Sequence, residues 1–445
     1  MASEVRWFEK PLGEVTCNHD GKRKPVKESE RKKGPYPYYG ASGVVDYVDG
    51  YLFEGGHLLI AEDGENLRTR QTPIAFMADG KFWVNNHAHI VTGNGEVTTE
   101  YLHYFLQNAD IQPYLTGAVM PKLTQGNLNR IPVRYPEPDY QKSIVRVLGV
   151  LDAKIDLNRR INQTLETMAQ AIFKSWFVDF DPVKAKIAAI QEGRDPLRAA
   201  MSAISGKSDA ELDALPPEQY DALATTAGLF PEEMEESELG GIPRGWFVRA
   251  MPDCIEVNPA RTLKKGSVAQ YLDMANVPTN SARVQNVVPR EFTSGSKFRN
   301  GDTLLARITP CLENGKTAFV DFLSGDEVGW GSTEFIVLRP KNGLPEPLAY
   351  FLCRHPDFRA FAIAQMAGTS GRQRVPNDCF GGYKLVEPAE PVAIEFGRLA
   401  GAALNQIKAL DEEAKTLVSL RDTLLPKLLS GELTVEALTK AIGAA

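Results

Sequence analysis

Apolar residues recur at spacings of three and four along two long stretches of the chain. The first carries Leu148, Leu151, Ile155, Asn158, Asn162, Leu165, Ala169, Ile172 and Trp176. The second carries Ala400, Ala403, Ile407, Leu410, Ala414, Leu417, Arg421, Leu424 and Leu428. This is the a/d seam of a coiled coil and predicts two long helices. Residues 141–177 as one helix would be ~55 Å long at about 1.5 Å per residue. A small domain cannot bury such a helix, so the two are expected to pack on each other as an antiparallel spacer. Asn158, Asn162 and Arg421 interrupt the seam; they either fix the register or sit in water.

Ahead of each helix lies a different pattern, of short β-branched and aromatic runs broken by Gly, Pro and Asn. In the first half these runs cover 42–48, 57–61 and 81–84; in the second they cover 302–307, 317–320 and 334–338. A short helix follows in each case (99–108 and 347–353), then a polar loop and one more strand. The predicted class is α/β of the α+β kind, with two similar globular domains, each followed by a long helix.

The halves also match residue by residue. Trp7-Phe8 corresponds to Trp246-Phe247, Leu58 to Ala61 to Thr303 to Ala306, and Ile90-Val91 to Ile336-Val337. Leu102 with Tyr104-Phe105-Leu106 corresponds to Leu348 with Tyr350-Phe351-Leu352, Asn127 to Asn377, and Ile155 to Ile407. The offset drifts slowly from 239 to 252, as a few short insertions in a duplicated unit would make it. The domain reading is therefore 1–140, a first long helix 141–180, a connector 181–240, a second domain 241–390, a second long helix 391–432 and a tail 433–445.

Charge singles out the connector. The 445 residues carry a formal charge of −7, which alone speaks against a phosphate-rich partner. Residues 181–240, however, hold 13 Asp and Glu against 5 Lys and Arg, a net of −8 that leaves +1 for everything else. Rich in Ala, Pro and Ser, this segment reads as a linker of short amphipathic helices docked on a neighbour. Apolar residues make up 43%, in line with a globular protein, and no run approaches the roughly 18 apolar residues of a membrane span. The first residues have no apolar signal-peptide core, so a cytoplasmic location and no membrane partner are expected. Five scattered cysteines form no Cys-x-x-Cys pair and read as small buried hydrophobes.

Catalytic fragments fail on inspection. Residues 310–317 end in Gly-Lys-Thr like a phosphate loop, but Pro310 replaces its first glycine and a strand-like run follows. Asp152-Ala153-Lys154 mimics a nuclease signature, yet on a helix its two side chains point about 200° apart. His87-Ala88-His89 puts two imidazoles on one strand face with no neighbouring ligand, which favours packing. Neither catalysis nor a metal is expected in this chain.

Binding remains, and the loops offer groups for it. Lys22-Arg23-Lys24, Lys27 and Arg31-Lys32-Lys33 precede Tyr36-Pro37-Tyr38-Tyr39 and Gly40-Ala41-Ser42-Gly43. In the polar loop after the short helix, the first half has Lys122, Gln125 and Asn127. The second has Thr369, Ser370, Arg372, Gln373, Arg374 and Asn377. Arg, Lys, Gln and Asn are the side chains that read guanine and adenine edges, with spare cations on phosphates. A substrate clamp or a solvated turn would be polar too.

Five segments resemble parts of the specificity subunit of Type I restriction-modification enzymes. Residues 37–43 (PYYGASG) and 58–64 (LLIAEDG) look like the opening of a target recognition domain, and 165–181 (LETMAQAIFKSWFVDFD) like the end of the family's first spacer helix. Residues 237–246 (SELGGIPRGW) look like the start of the second recognition domain, and 424–433 (LLPKLLSGEL) like the family's ending. The resemblance implies that each domain reads one part of a bipartite, asymmetric site on double-stranded DNA while the helices set the unread spacing. It implies docking of two modification subunits, which carry S-adenosylmethionine and methylate adenine, and of restriction subunits using ATP and Mg; no cofactor is expected in this chain. Candidate DNA contacts are the residues of the two loops above, with Lys22, Arg23, Lys24, Tyr38, Tyr39 and Ser42, and with Arg307, Asn314 and Lys316. Candidate partner contacts are Phe173, Trp176, Phe177, Leu424 and Leu428. The competing reading is a two-domain adaptor that binds no DNA.

Overall fold

The computed structural model of the chain describes residues 5–369 and 371–443. They fall into two units, Met1–Asp156 with Ala414–Ala445, and Leu157–Glu413. No helix among the described residues is long and apolar enough to cross a membrane.

The first unit holds ten strands. In chain order they are β1 (Trp7–Pro11), β2 (Thr16–Asn18), β3 (Lys33–Gly40), β4 (Gly43–Val48), β5 (Phe53–Glu54), β6 (His57–Ala61), β7 (Ala75–Ala78), β8 (Lys81–Val84), β9 (Ala88–Gly93) and β10 (Pro132–Pro136). They form one four-stranded sheet in the order β2-β9-β6-β7, a second in the order β4-β3-β8-β5, and the pair β1-β10. The strands of the second unit begin with the hairpin β11 (Met234–Ser237) and β12 (Gly240–Pro243). It continues with β13 (Phe247–Ala250), β14 (Ile255–Val257), β15 (Val268–Leu272), β16 (Val288–Glu291), β17 (Ser296–Phe298), β18 (Thr303–Ala306), β19 (Thr317–Phe319), β20 (Gly329–Gly331), β21 (Phe335–Pro340) and β22 (Lys384–Glu387). Its sheets run β14-β21-β18-β19, β16-β15-β20-β17 and β13-β22. Strand for strand this is the order of the first unit, down to the single parallel pairing in one four-stranded sheet of each (β3 with β8, β15 with β20). The duplication inferred from the sequence is thus a duplication of topology.

Register corrects one correspondence. Leu59 pairs with Ile90, and Leu304 with Val337. Ile90 and Val337 both face the interior between the two sheets of their half, whereas Ile336 points to the opposite face, under the helix Pro347–Arg354. Ile90 therefore answers Val337, one residue beyond the expected Ile336. A slip of one residue turns a strand over, and in a run of consecutive apolar residues the sequence cannot reveal it.

Both sheets with a parallel pairing carry a Tyr–Trp pair on the parallel strands. Tyr38 lies opposite Trp83 and Tyr271 opposite Trp330. A guanidinium covers each tyrosine ring, Arg31 at 4.5 Å and Arg290 at 4.7 Å. Each indole N–H donates to a main-chain carbonyl, of Lys24 and of Arg290. Tyr38 and Trp330 are buried and Trp83 and Tyr271 half-buried, with the indole edges satisfied and the tyrosine faces covered by cations.

The long helices are Pro138–Phe177 and Glu390–Ser430. Pro138 and Asp139 suit a helix start. Gln141, fully buried, fixes that start by donating to the carbonyls of Pro136 and Glu96 and accepting from the Thr98 N–H. The first helix stops at Phe177 because Phe180 takes a left-handed φ of 56° and Pro182 begins a new helix. Within the first unit, Ile144 and Leu148 share a core with Leu425, Leu428 and Leu429, and Asp152 pairs with Arg421 at 2.9 Å. Within the second, Asn158 donates to the Leu410 carbonyl at 3.3 Å and Asn162 to that of Ile407 at 3.2 Å. The polar seam positions thus bond across to the other helix, and the water-filled reading of Asn158 gives way.

The acidic connector is more than a linker. It folds into helices Asp181–Gln191, Pro196–Ser205, Asp209–Asp213 and Pro217–Gly228, with Ala200, Met201, Leu212 and Ala227 as their own small core. Phe180, Val183, Phe230 and Ile242 join the main core of the second unit. Its acidity lies on the outside, while Lys186 is buried and donates to the Phe230 carbonyl at 2.7 Å. Thr226 donates to Glu395 of the second long helix. Of the cysteines, Cys254 and Cys353 are buried as expected, but Cys17 is exposed.

Candidate nucleic-acid interface

In each half the polar loop is locked to the loop after the central strand by a backbone frame. In the first, the Glu62 N–H donates to the His87 carbonyl at 2.9 Å and the Glu62 carbonyl accepts from Leu123 at 2.8 Å. In the second, the Arg307 N–H donates to the Glu334 carbonyl at 3.0 Å and the Arg307 carbonyl accepts from Val375 at 2.9 Å. Lys122 is bridged to both Asp63 and Thr116, and Arg374 to both Ile308 and Ala367. The frame therefore aligns Glu62 with Arg307, His87 with Glu334 and Lys122 with Arg374.

The side chains on the frame differ. In the first half Arg23 bonds Glu62 and the Ala88 carbonyl, both at 2.8 Å, and approaches Asp20 at 3.4 Å. Lys122 reaches the other Glu62 oxygen at 3.3 Å. Buried His89 sits between Asp20 (2.6 Å) and the Leu123 carbonyl (2.8 Å). Burial opposes charge on His89, but the Asp20 hydrogen bond, the Leu123 carbonyl and the nearby Glu62 outweigh it, so its pKa is raised. Burial likewise opposes charge on Glu62, and Arg23, His89 and Lys122 more than compensate, holding its carboxyl below the usual range. His87 lies in the turn before β9 and bonds Asp63 at 2.8 Å. The expectation that this His pair lacked partners is corrected: Asp20, Glu62 and Asp63 lie far away in sequence and close in space.

In the second half Arg374 grips Glu334 with two nitrogens at 2.7–2.9 Å. Arg307 donates to the Val375 carbonyl at 2.6 Å and, with Asn377, lines a cleft of about 450 Å³. Arg261, Lys297 and Asn258 line the same cleft. Sequence reasoning found Arg307 and Asn377 but missed the other three, which sit in separate strand ends and carry no motif. Lys297 is held by the Arg261 carbonyl at 3.1 Å, and Arg261 by Asp302 at 3.0 Å.

The remaining candidates divide. Lys22, Lys24, Ser42 and Gln125 are exposed in the first half, as are Asn314, Thr369 and Arg372 in the second. Tyr39 is half-buried against Phe76 and Phe82. Asn127 donates to the Tyr114 carbonyl and so braces its loop; the Gln373 N–H donates to the Thr309 hydroxyl. Lys316 donates to the Met274 carbonyl at 2.7 Å, away from the cleft. Ser370 lies outside the described residues.

Several expectations are overturned by burial. Tyr38 is 1% exposed, its hydroxyl accepting from the Val26 N–H, so it is a core residue that no base can touch. Arg23 is spent on Asp20, Glu62 and Ala88 and positions the frame instead of reaching out. Phe173, Trp176 and Phe177 belong to the second unit's own core, where Phe173 and Phe177 line a cavity of about 340 Å³. Leu428 is fully buried and Leu424 half-buried on the first unit's core. Helical spacing showed that these side chains face inward, but not that the chain itself covers them.

Comparison with known proteins places this architecture. The family model for the Type I restriction modification DNA specificity domain matches residues 4–167. The HindI specificity subunit of Haemophilus influenzae is 28% identical over 353 residues, covering 76% of each chain. The MjaIX specificity subunit of Methanocaldococcus jannaschii is 23% identical and covers 96% of this chain and 93% of its own. The crystal structure of the Type I restriction-modification S subunit from M. genitalium shares the fold, with a TM-score of 0.54 at 13% identity over 96% of this chain and 97% of that one. In sequence and in duplicated topology the chain is thus similar to Type I restriction-modification specificity subunits, and its residues 4–167 match the family's DNA specificity domain.

Proposed function

We propose that this subunit reads a bipartite, asymmetric site on double-stranded DNA, one part with each half, while the two long helices set the spacing left unread. The observation that carries this reading is the shared frame with unlike side chains. Two copies with the same side chains would select a symmetric site; Glu62 against Arg307 and His87 against Glu334 give the two frames unlike charge and hydrogen-bonding character. The cleft of Arg261, Lys297, Arg307 and Asn377 offers donors suited to guanine and phosphate oxygens.

The chemistry is assigned to partners. Two modification subunits, carrying S-adenosylmethionine and methylating adenine, dock on this chain, and restriction subunits bring ATP, Mg, translocation and cleavage. With the acidity concentrated in the connector and the rest near neutral, the isolated chain has little counterion release to drive binding. Tight binding then depends on positive surface from the modification subunits. Footprinting of the chain with those subunits tests the reading. Two protected tracts separated by an unprotected interval support it; no sequence-dependent protection sinks it and leaves the adaptor role.

A further inference from the structure

The two polar loops share a stem and differ at the tip. In the first half, Thr116 and Lys122 exchange both backbone hydrogen bonds at 2.8 Å. Arg68 donates to the Gly117 carbonyl at 2.9 Å, and the Gly64 N–H to the Pro121 carbonyl at 3.2 Å. Gly117 has φ +88°, and a Cβ there would lie 2.2 Å from the Met120 carbonyl oxygen, so only glycine closes this turn. In the second half, Ala367 and Arg374 exchange the same two bonds at 3.0 and 2.9 Å, and the Thr309 N–H donates to the Gln373 carbonyl at 3.1 Å. Gly368, at φ +126°, faces the Arg372 carbonyl. Met120 and Arg372 thus take the same place on two copies of one stem.

The side chains at that place have opposite character. Val119 is 95% exposed and Met120 62% exposed, on a stem closed by two backbone hydrogen bonds. An occupant must accept apolar contact at the tip and cations beside it, from Lys122 and Arg68. On the matching stem it must accept Thr369, Arg372 and Gln373. The DNA major groove meets both demands: its acceptor-rich edges suit arginine, and its one apolar group is the thymine methyl.

We propose that Val119 and Met120 pack on thymine methyl groups in the tract read by the first half, so that the two halves read different base chemistry from one stem. This rests on the DNA-reading function above. The test uses the full chain with its modification subunits and duplexes in which each thymine of the first tract is replaced singly by deoxyuridine, which removes only the methyl. Loss of one buried methyl should weaken binding about fourfold at one or two positions. The double variant Val119→Ser/Met120→Ser should bind thymine and deoxyuridine duplexes alike, with an unchanged melting temperature because both side chains are exposed. A site-selective complex that ignores every methyl, a methyl effect that survives in the variant, or a first tract without an A·T pair overturns this inference alone. A complex that selects no sequence overturns the reading function with it.

Discussion

Glu62 and Arg307 stand at the same step of the same backbone frame with opposite charge. Each donates its N–H across to the preceding edge (2.9 and 3.0 Å) and accepts from the polar loop (2.8 and 2.9 Å). The carboxylate is met within its own half by Arg23 and Lys122. The guanidinium leans on a neutral carbonyl, that of Val375, and so keeps its charge for the cleft. A duplicated scaffold has kept its main-chain bonds and exchanged what they display.

Replacing Arg307 with Gln should therefore act on one part of the DNA site. The frame bonds are main-chain and survive the change. Affinity of the assembled complex should fall roughly ten- to a hundredfold, the range of one good arginine–base contact. Protection of the second tract should be lost while that of the first persists. Equal loss over both tracts would mean that Arg307 supports assembly instead of reading.

Within the first unit, Asp152 accepts from Arg421 at 2.9 Å and from the Tyr104 hydroxyl at 2.7 Å. Both charged side chains are less than a third exposed. Arg421→Met leaves Asp152 with one partner in a poorly hydrated place, and should cost roughly 2 kcal/mol. Adding Asp152→Asn should recover part of it, since the stranded charge is then gone. Chemical denaturation of the four chains of this cycle gives the coupling, and strict additivity would mean the pair is ornamental.

Much of this was legible in the chain because periodicity reports faces. The seams of both long helices, the strand runs and the duplication all follow from which positions are apolar. Periodicity does not report what covers a face. Phe173 and Trp176 have the spacing of a docking surface and the burial of a core. Ile90 and Ile336 look equivalent until pairing puts them on opposite faces. The His89 network joins residues some 70 positions apart, and Arg261, Lys297 and Arg307 meet only because β14, β17 and β18 bring their ends together.

The His89 network makes the first unit pH-sensitive in a definite direction. The folded pKa of His89 is raised above the ordinary 6.5, so its contribution is complete below that value and is lost as pH rises through the folded pKa. For Asp20, burial opposes the charge, and the bonds from His89 and the Ile90 N–H outweigh it, leaving its pKa below the ordinary 3.8. Its contribution is present above that value and is lost only as pH falls through the lower folded pKa. Stability of the first unit should thus decline on the alkaline side of 6.5, and His89→Gln should flatten that decline. Denaturation midpoints measured against pH check it; an alkaline decline of the same size in the variant would clear His89 of the effect.

Asn158 gives the sharpest contrast between two substitutions at one position. It is 0% exposed in the second unit; its amide donates to the Leu410 carbonyl and to Glu413 at 2.8 Å, while its Oδ1 accepts nothing. Leucine there removes an unsatisfied acceptor and adds apolar burial, and should raise stability by ~1 kcal/mol. Aspartate adds a buried charge beside Glu413 and should lower it by about 2 kcal/mol or more. The register that asparagine sets is the expected casualty of the leucine variant, as at polar seam positions in coiled coils. Denaturation of both variants, with footprint spacing of their assembled complexes, separates the two roles. Greater stability with an altered or blurred interval between the two protected tracts identifies Asn158 as the residue that fixes the spacing, and an unchanged interval assigns that task to the rest of the seam.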